Sequence, residues 1–321
     1  MELTDVNDIR NISIIGAGTM GYGIGLTFAL CGYNVTLNDC EKTSLNKAIW
    51  QTKESLYALN ENGIVNRKTF HETMSRINTE IVLRSAVKNA DFVIETAVED
   101  LDVKTRIFND LDILCPQHTI LASNTSSLLL RNFTSHCSRK DKVLLTHWMN
   151  PAHIIPVVEV MGIEETSDLT IELICNLLKA VHKVPIRILK EYQGLVVNRV
   201  QAAMIREVLS LWEQGVSSPE DIDQAIRGSF GFRLAVIGPL ETLDYGGLDI
   251  WYSLANNLFS VISDAHRPPI VLKKLVKEGN LGFKTGKGFF AYENSKQYSK
   301  KEGTIRNRDN KFIQLLKLLY K

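Results

Sequence analysis

Short apolar-rich runs, each four or five residues long and bounded by polar or turn-forming positions, recur through the first 190 residues. They fall at residues 12–15, 35–38, 91–94, 119–122, 143–146, 156–160 and 184–188. Runs of that length are too short for helices and read as strands buried on both faces. Between two of them, Leu101, Ile107, Phe108 and Leu111 recur at helical spacing and predict a helix over residues 101–114. Strands alternating with helices predict an α/β fold, a doubly wound Rossmann-type parallel sheet. Residues 42–80 are mostly polar and predict a helical excursion, broken at Asn62-Gly63. Pro185 cannot donate to a sheet ladder, so the last run is expected at an edge.

The pattern changes near residue 190, beyond which only helical periodicity is found. Val196, Val200, Ala203, Met204, Leu209 and Trp212 mark one helix from 195 to 214, with Gly215 as its stop. Ser218-Pro219-Glu220-Asp221 is a helix start: a capping hydroxyl, proline at the first position, then acids. The expected organisation is a sheet domain over residues 1–191 and a smaller all-α domain over 192–321. The last 29 residues hold eight Lys or Arg against three acids. With little interleaved aromatic character they predict a basic amphipathic helix lying on the body of the protein, not a nucleic-acid tail.

Composition changes this picture little. The chain has 321 residues, 45% hydrophobic residues and a net charge of +1, so no overall field points to nucleic acid or a membrane surface. No run of apolar residues is long enough to span a bilayer, and the acidic N-terminus lacks a signal-peptide core. Five scattered cysteines, without metal or disulfide spacing, suit a reducing cytoplasm. No metal site is expected.

Candidate chemistry begins immediately after the first strand. Gly16, Gly18 and Gly21 follow it at G-x-G-x-x-G spacing, with Thr19 and Met20 in the turn, and a helix comes next. The first glycine allows a tight turn, the second admits a pyrophosphate, and the third lets helix pack on strand. Asp39 ends the second strand 18 residues after Gly21, where an acid binds the adenine ribose hydroxyls. These features predict NAD as cofactor and make residues 1–191 an NAD-binding domain. Asp39 repels a 2′-phosphate, and Cys40-Glu41 supplies no arginine to receive one.

A second constellation lies past later strands. Asn124, Thr125, Ser126 and Ser127 follow the 119–122 run, and ligands in open α/β sheets sit beyond the carboxyl ends of strands. All four are expected to face the site, Asn124 among the cofactor-binding residues. His147 ends the next run, and Glu159 follows twelve residues later among Val157, Val158 and Val160. A histidine there suits a general base. A carboxylate inside an apolar run needs a partner, and this one is placed to orient the imidazole. His153, in the intervening loop, is expected to be peripheral.

With these residues in view, the chain resembles the L-3-hydroxyacyl-CoA dehydrogenase superfamily over nearly its whole length. The matching segments are IIGAGTMGYGI, IETAVEDLDVK, ASNTSSL, HWMNPAHIIPVVEV, GLVVNR, SSPEDIDQAI, GPLETLDYGGLD and GFKTGKGFFAY. The resemblance implies a catalytic His147–Glu159 dyad, substrate contact by Ser126, and a site lined by Asn150 and Asn198. It also implies cofactor contact by Glu99 and Lys104, and a helical domain that binds substrate and forms a homodimer. The implied reaction is NAD-dependent oxidation of a secondary alcohol at the 3-position to a ketone, and its reverse, with Ser126 and Asn198 on the reacting oxygen.

The chain departs from the fatty-acyl-CoA enzymes in three places. Residues 56–63 read LYALNENG where those enzymes carry a lysine-rich helix that meets CoA phosphates. Their HFFNP is here His147-Trp148-Met149-Asn150-Pro151, and a proline-methionine pair is replaced by FRLAVIGP at 232–239. The last two resemble the lambda-crystallin-like gulonate dehydrogenases and the pyridine-carboxylate dehydrogenases. An acyl-CoA substrate is therefore the first expectation. A free hydroxy acid or aromatic carboxylate held by the fork of Arg233 is the alternative. A dehydrogenase with a lysine base on the helix opening the second domain is disfavoured, because GLVVNRVQAAMIRE has no lysine. A non-catalytic, crystallin-like protein is disfavoured because His147 and Glu159 are both present.

Overall fold

The computed structural model describes residues 2–292 and 298–320. Eight strands form one sheet: β1 (Asn11–Ile15), β2 (Asn34–Asn38), β3 (Ile77–Glu80), β4 (Phe92–Glu95), β5 (Ile120–Ser123), β6 (Val143–Trp148), β7 (Val157–Gly162) and β8 (Val184–Arg187). Their order across the sheet is β3-β2-β1-β4-β5-β6-β7-β8. The order reverses between β1 and β4, which opens the ligand crevice at the carboxyl ends of those strands.

Two outcomes differ from the pattern read along the chain. The 42–80 excursion holds two helices, α2 (Lys42–Glu61) and α3 (Arg67–Ser75), but it ends in a strand, β3, parallel to β2 at the sheet edge. Its sequence, Ile-Asn-Thr-Glu, carries one apolar residue, so edge pairing and not hydrophobic pattern makes it a strand. The sheet is also not wholly parallel, since β7 runs antiparallel to β6. The connection between them is too short for a crossover helix, and only an antiparallel return is open to it. Pro185 lies on β8, the other edge, as expected.

Apolar residues of alternating strand faces feed two cores. Ile12 and Ile14 point with Phe28, Ile174 and Leu177 toward α1 (Thr19–Leu30) and α7 (Asp168–Ala180). Ile15, Val93, Leu121 and Leu145 point the other way, toward α4 (Leu83–Val87), α5 (Leu101–Leu114) and α6 (Leu130–Thr134). Helices on both faces bury the central strands β1, β4, β5 and β6, and each large side chain removed from water contributes roughly 1.5–3 kcal/mol.

Contacts divide the chain into two compact units, Met1–Val196 with Asp309–Tyr320, and Val197–Arg308. The second unit contains α8 (Val197–Glu213), α9 (Pro219–Gly228), α10 (Phe230–Leu234), α11 (Pro239–Gly246), α12 (Leu248–Leu258) and α13 (Ile270–Lys277). The start signals act as expected: Ser218 accepts a hydrogen bond from the Asp221 amide, and Gly215 takes a positive φ of 69° past the end of α8. The C-terminal helix α14 (Tyr298–Leu319) does not stay with the helical unit throughout, as a domain over 192–321 would require. Its residues from 309 onward group with the sheet unit. Ile313 is buried there with Leu56, Leu59 and Val65, and Asn62 bonds to Asn310, Gln314 and Lys317. The expected basic helix on the body is thus held by an apolar ridge and an amide cluster; residues 293–297 and 321 of that stretch lie outside the described residues.

Candidate functional site

The glycine turn is shaped by what surrounds it. Gly16 has φ +103°, and a Cβ there would meet the Thr96 backbone at 2.8 Å. At Gly21 a Cβ would lie 1.9 Å from the Gly16 carbonyl oxygen, so α1 can approach the turn only with glycine at that position. Thr96, beyond β4, donates from Oγ1 to the Gly16 carbonyl at 2.6 Å and locks the turn. Gly18 is the N-cap of α1, receives no side-chain cap, and has nothing within 4 Å of where a Cβ would be. Open space above uncapped helix N–H groups, with Thr19 and Met20 opening the helix, fits a pyrophosphate.

Asp39 completes this cradle. Its Oδ2 accepts from the Ala17 amide at 2.9 Å, and its Oδ1 from the Glu41 amide at 3.0 Å. The carboxylate is fixed against the glycine loop and retains lone pairs for two ribose hydroxyls. Asp39→Ala is expected to narrow the preference for NADH over NADPH, measured by fluorescence titration; tighter NADPH binding by the unaltered protein would refute the assignment.

Across the crevice, a buried charge network joins β4, β5 and α5. Lys104, only 1% exposed, donates to both Glu95 oxygens at 2.7 and 2.9 Å and lies 3.5 Å from Glu99. Glu95 also accepts from Ser123 Oγ at 2.6 Å and the Ala97 amide at 2.7 Å. Glu99 Oε1 accepts from Thr125 Oγ1, the Ser126 and Ser127 amides, and Ser127 Oγ, all within 3.0 Å. Partial burial pushes the Glu99 carboxyl up, but the Thr125 and Ser127 hydrogen bonds and the Lys104 charge outweigh it and bring it down to about 2. Lys104 is therefore spent on carboxylates, and Glu99 holds the loop that carries Ser126, whose residue is exposed. Glu95 and Ser123 did not emerge from the sequence reading. The signal was available: Glu95 ends the apolar run Phe-Val-Ile, as Glu159 sits among valines.

The histidine and its carboxylate meet through strand register. His147 on β6 stands directly opposite Glu159 on β7. Opposed residues of an antiparallel pair share a face with Cβ atoms about 5 Å apart. His147 Nδ1 and Glu159 Oε2 are 2.7 Å apart, with the residues 3% and 0% exposed. The Val196 amide donates to Glu159 Oε1 at 2.9 Å. Nε2 is left as the ring nitrogen that the carboxylate does not hold. Asn124 Oδ1 accepts from the Trp148 amide at 2.9 Å, which ties the end of β5 to the strand bearing His147. Asn150 is exposed in the loop after β6. His153 lies beside Tyr22 of α1, with ring centroids 6.0 Å apart and planes tilted by 46°. Asn198 lies in the first turn of α8 and Arg233 is exposed on α10, both in the second unit. No group of three metal-ligating side chains occurs among the described residues.

Comparison with known proteins agrees with this geometry. The family model for the 3-hydroxyacyl-CoA dehydrogenase NAD-binding domain matches residues 11–192, and that for the C-terminal domain matches 194–292. The chain is 35% identical over 285 residues to a 5-formyl-3-hydroxy-2-methylpyridine 4-carboxylate 5-dehydrogenase of Mesorhizobium japonicum, covering 88% of this chain and 91% of that protein. It is 35% identical over 292 residues to human mitochondrial hydroxyacyl-coenzyme A dehydrogenase, covering 89% and 92%. A crystal structure of an NAD+-dependent enzyme of the former activity superposes with a TM-score of 0.89 at 32% identity, over 97% of this chain and 98% of that one. A glycine cradle suited to a dinucleotide, a histidine paired with a buried carboxylate and two matched domains have one common explanation: the chain belongs to the 3-hydroxyacyl-CoA dehydrogenase family and is an NAD-dependent dehydrogenase acting on CH–OH groups.

Proposed function

We propose that His147 is the general base of this NAD-dependent alcohol oxidation, and the acid of its reverse. The observation that carries this reading is the buried 2.7 Å pair between His147 Nδ1 and Glu159. The nicotinamide, when bound, supplies the hydride chemistry. His147 takes the hydroxyl proton on Nε2 while Glu159 fixes the tautomer and stabilises the imidazolium. Ser126 and Asn198 donate to the reacting oxygen as its charge changes. The glycine turn, Asp39, Glu99, Lys104 and Asn124 bind or shape the cofactor site, and Asn150 borders the substrate.

The substrate is first a 3-hydroxyacyl-CoA, as the names of the human and other relatives suggest. A second reading, a free hydroxy acid or aromatic carboxylate, is favoured by one specific observation. Residues 56–63 carry no lysine, and that part of α2 is packed against the chain's own C-terminal helix through Leu56, Leu59, Asn62 and Ile313. In that reading Arg233 binds the substrate carboxylate. Rates with acetoacetyl-CoA and with a free 3-keto acid, each with NADH, separate the two. If the free acid is preferred, Arg233→Leu is expected to cost about 2–4 kcal/mol in kcat/KM for it. Efficient acetoacetyl-CoA reduction that is indifferent to Arg233→Leu would leave the acyl-CoA reading standing.

The second unit supports a homodimer. Among its described residues only Leu209 and Ile222 are buried, while Phe232, Leu240, Tyr245, Tyr252 and Phe259 are exposed. That much apolar surface calls for a cover, and a second copy supplies it. No helix among the described residues is long and apolar enough to cross a membrane. A cytoplasmic location is consistent with five unpaired cysteines.

A further inference from the structure

Outside the site, one buried charge has no role in the chemistry above. Lys183 lies in the turn between α7 and β8 and is 7% exposed. No carboxylate lies within 4 Å of its ammonium among the described residues. Instead Nζ donates to the carbonyl oxygens of Ala152 at 2.7 Å and Ile155 at 2.8 Å, and it sits 5.7 Å from the centre of the Trp148 ring. Burial pushes the amine down to about 8, so the cation is held at a cost and still predominates at neutral pH.

The position of those two carbonyls gives the charge a purpose. Ala152 and Ile155 belong to residues 149–156, the segment joining the strand of His147 to the strand of Glu159. Within it, Pro151 accepts from the amides of Ile154 and Ile155. Ala152 and Ile154 are also packed in apolar clusters, and the Lys183 clamp adds hydrogen bonds from the turn between α7 and β8 to two of the segment's carbonyls. Lys183 is itself anchored, with its amide bonded to the Leu178 carbonyl at 2.8 Å and the following Val184 amide to the Pro156 carbonyl at 2.9 Å. An eight-residue connection does not set register as a tight turn does, and a slip of one residue turns Glu159 to the opposite face of the sheet.

We infer that Lys183 is a positioning residue for the His147–Glu159 pair, holding the connection between their strands from outside the site by two charge-assisted hydrogen bonds. The inference rests on the dyad proposed above. A small displacement of a base from its substrate is enough to cost up to about a hundredfold in rate.

Lys183→Met keeps the length and apolar stem and removes both donors. It is expected to lower kcat about ten- to a hundredfold, with NADH affinity and KM within about twofold of the unaltered enzyme. In a Glu159→Gln background the same substitution should have little further effect on kcat, because it acts through that carboxylate; a merely structural role would be additive. Wild-type kcat in Lys183→Met, or full additivity with Glu159→Gln, overturns the proposal. Should Lys183→Met not fold, Lys183→Gln retains an uncharged donor and carries the same measurements with the same expected signs. Failure of both to fold would assign Lys183 to the stability of the fold and overturn the proposal too. His147→Ala, assayed alongside, separates the two readings. If it is active, the dyad itself is wrong; if it is inactive while Lys183→Met is normal, only the inference about Lys183 falls.

Discussion

His147→Ala is expected to lose about two to four orders of magnitude in turnover while binding NADH with near-normal affinity. The imidazole is buried on β6, and its contacts are with Glu159, not with the glycine turn that shapes the nucleotide site. Proton transfer and cofactor binding should therefore separate in the measurement. Glu159→Gln is expected to be severe as well. The amide preserves the shape of the side chain and can still accept from the Val196 amide, but it no longer opposes the positive charge that His147 acquires. Stopped-flow hydride transfer and fluorescence titration of NADH, run on both variants, check these expectations. An alanine variant with substantial turnover would place the base elsewhere.

Glu95→Leu is expected to destabilise the sheet unit by about 3–5 kcal/mol. The leucine would strand the Lys104 ammonium, which is 1% exposed, with Glu99 at 3.5 Å as its remaining carboxylate. It would also take the acceptor from Ser123 Oγ and the Ala97 amide. Removing one partner of a buried pair costs far more than the pair itself contributes, since a desolvated charge is left behind. The double replacement Glu95→Leu with Lys104→Met should accordingly recover most of the loss. Urea unfolding midpoints of the two single variants and the double variant make the comparison. A Glu95→Leu protein within about 1 kcal/mol of the unaltered one would show that the network is not held as described.

The dinucleotide half of the site was legible along the chain because its signals are local. Glycine spacing, a strand before it, a helix after it and an acid at a set distance all follow from backbone geometry within some thirty residues. The helical character of the second unit was equally local, read from period and from the Ser218-Pro219 cap. His147 and Glu159 were read from a strand end and from an acid inside an apolar run, and resemblance to a known family added roles for Ser126, Asn198, Glu99 and Lys104. It did not say what each side chain touches. Lys104 and Glu99, expected at the cofactor, also have partners within the protein: Lys104 donates to Glu95, and Glu99 accepts from Thr125 Oγ1 and the Ser127 amide.

By itself the amino-acid sequence determined the strand–helix alternation, the glycine turn, the position of Asp39 and the change to an all-helical second half. Each depends on interactions between near neighbours, and near neighbours are what a sequence displays. Tertiary structure alone decided three things. Residues 77–80 became a strand because β2 offered an edge to pair with, not because of their own apolar pattern. The end of the C-terminal helix joined the sheet unit because Ile313 and the Asn62 cluster meet there, some 250 residues apart in the chain. And β7 turned back antiparallel, which set His147 directly across from Glu159 and gave the pair expected from the sequence its register and its 2.7 Å contact. Register between strands is a property of the pairing, and no local preference encodes it.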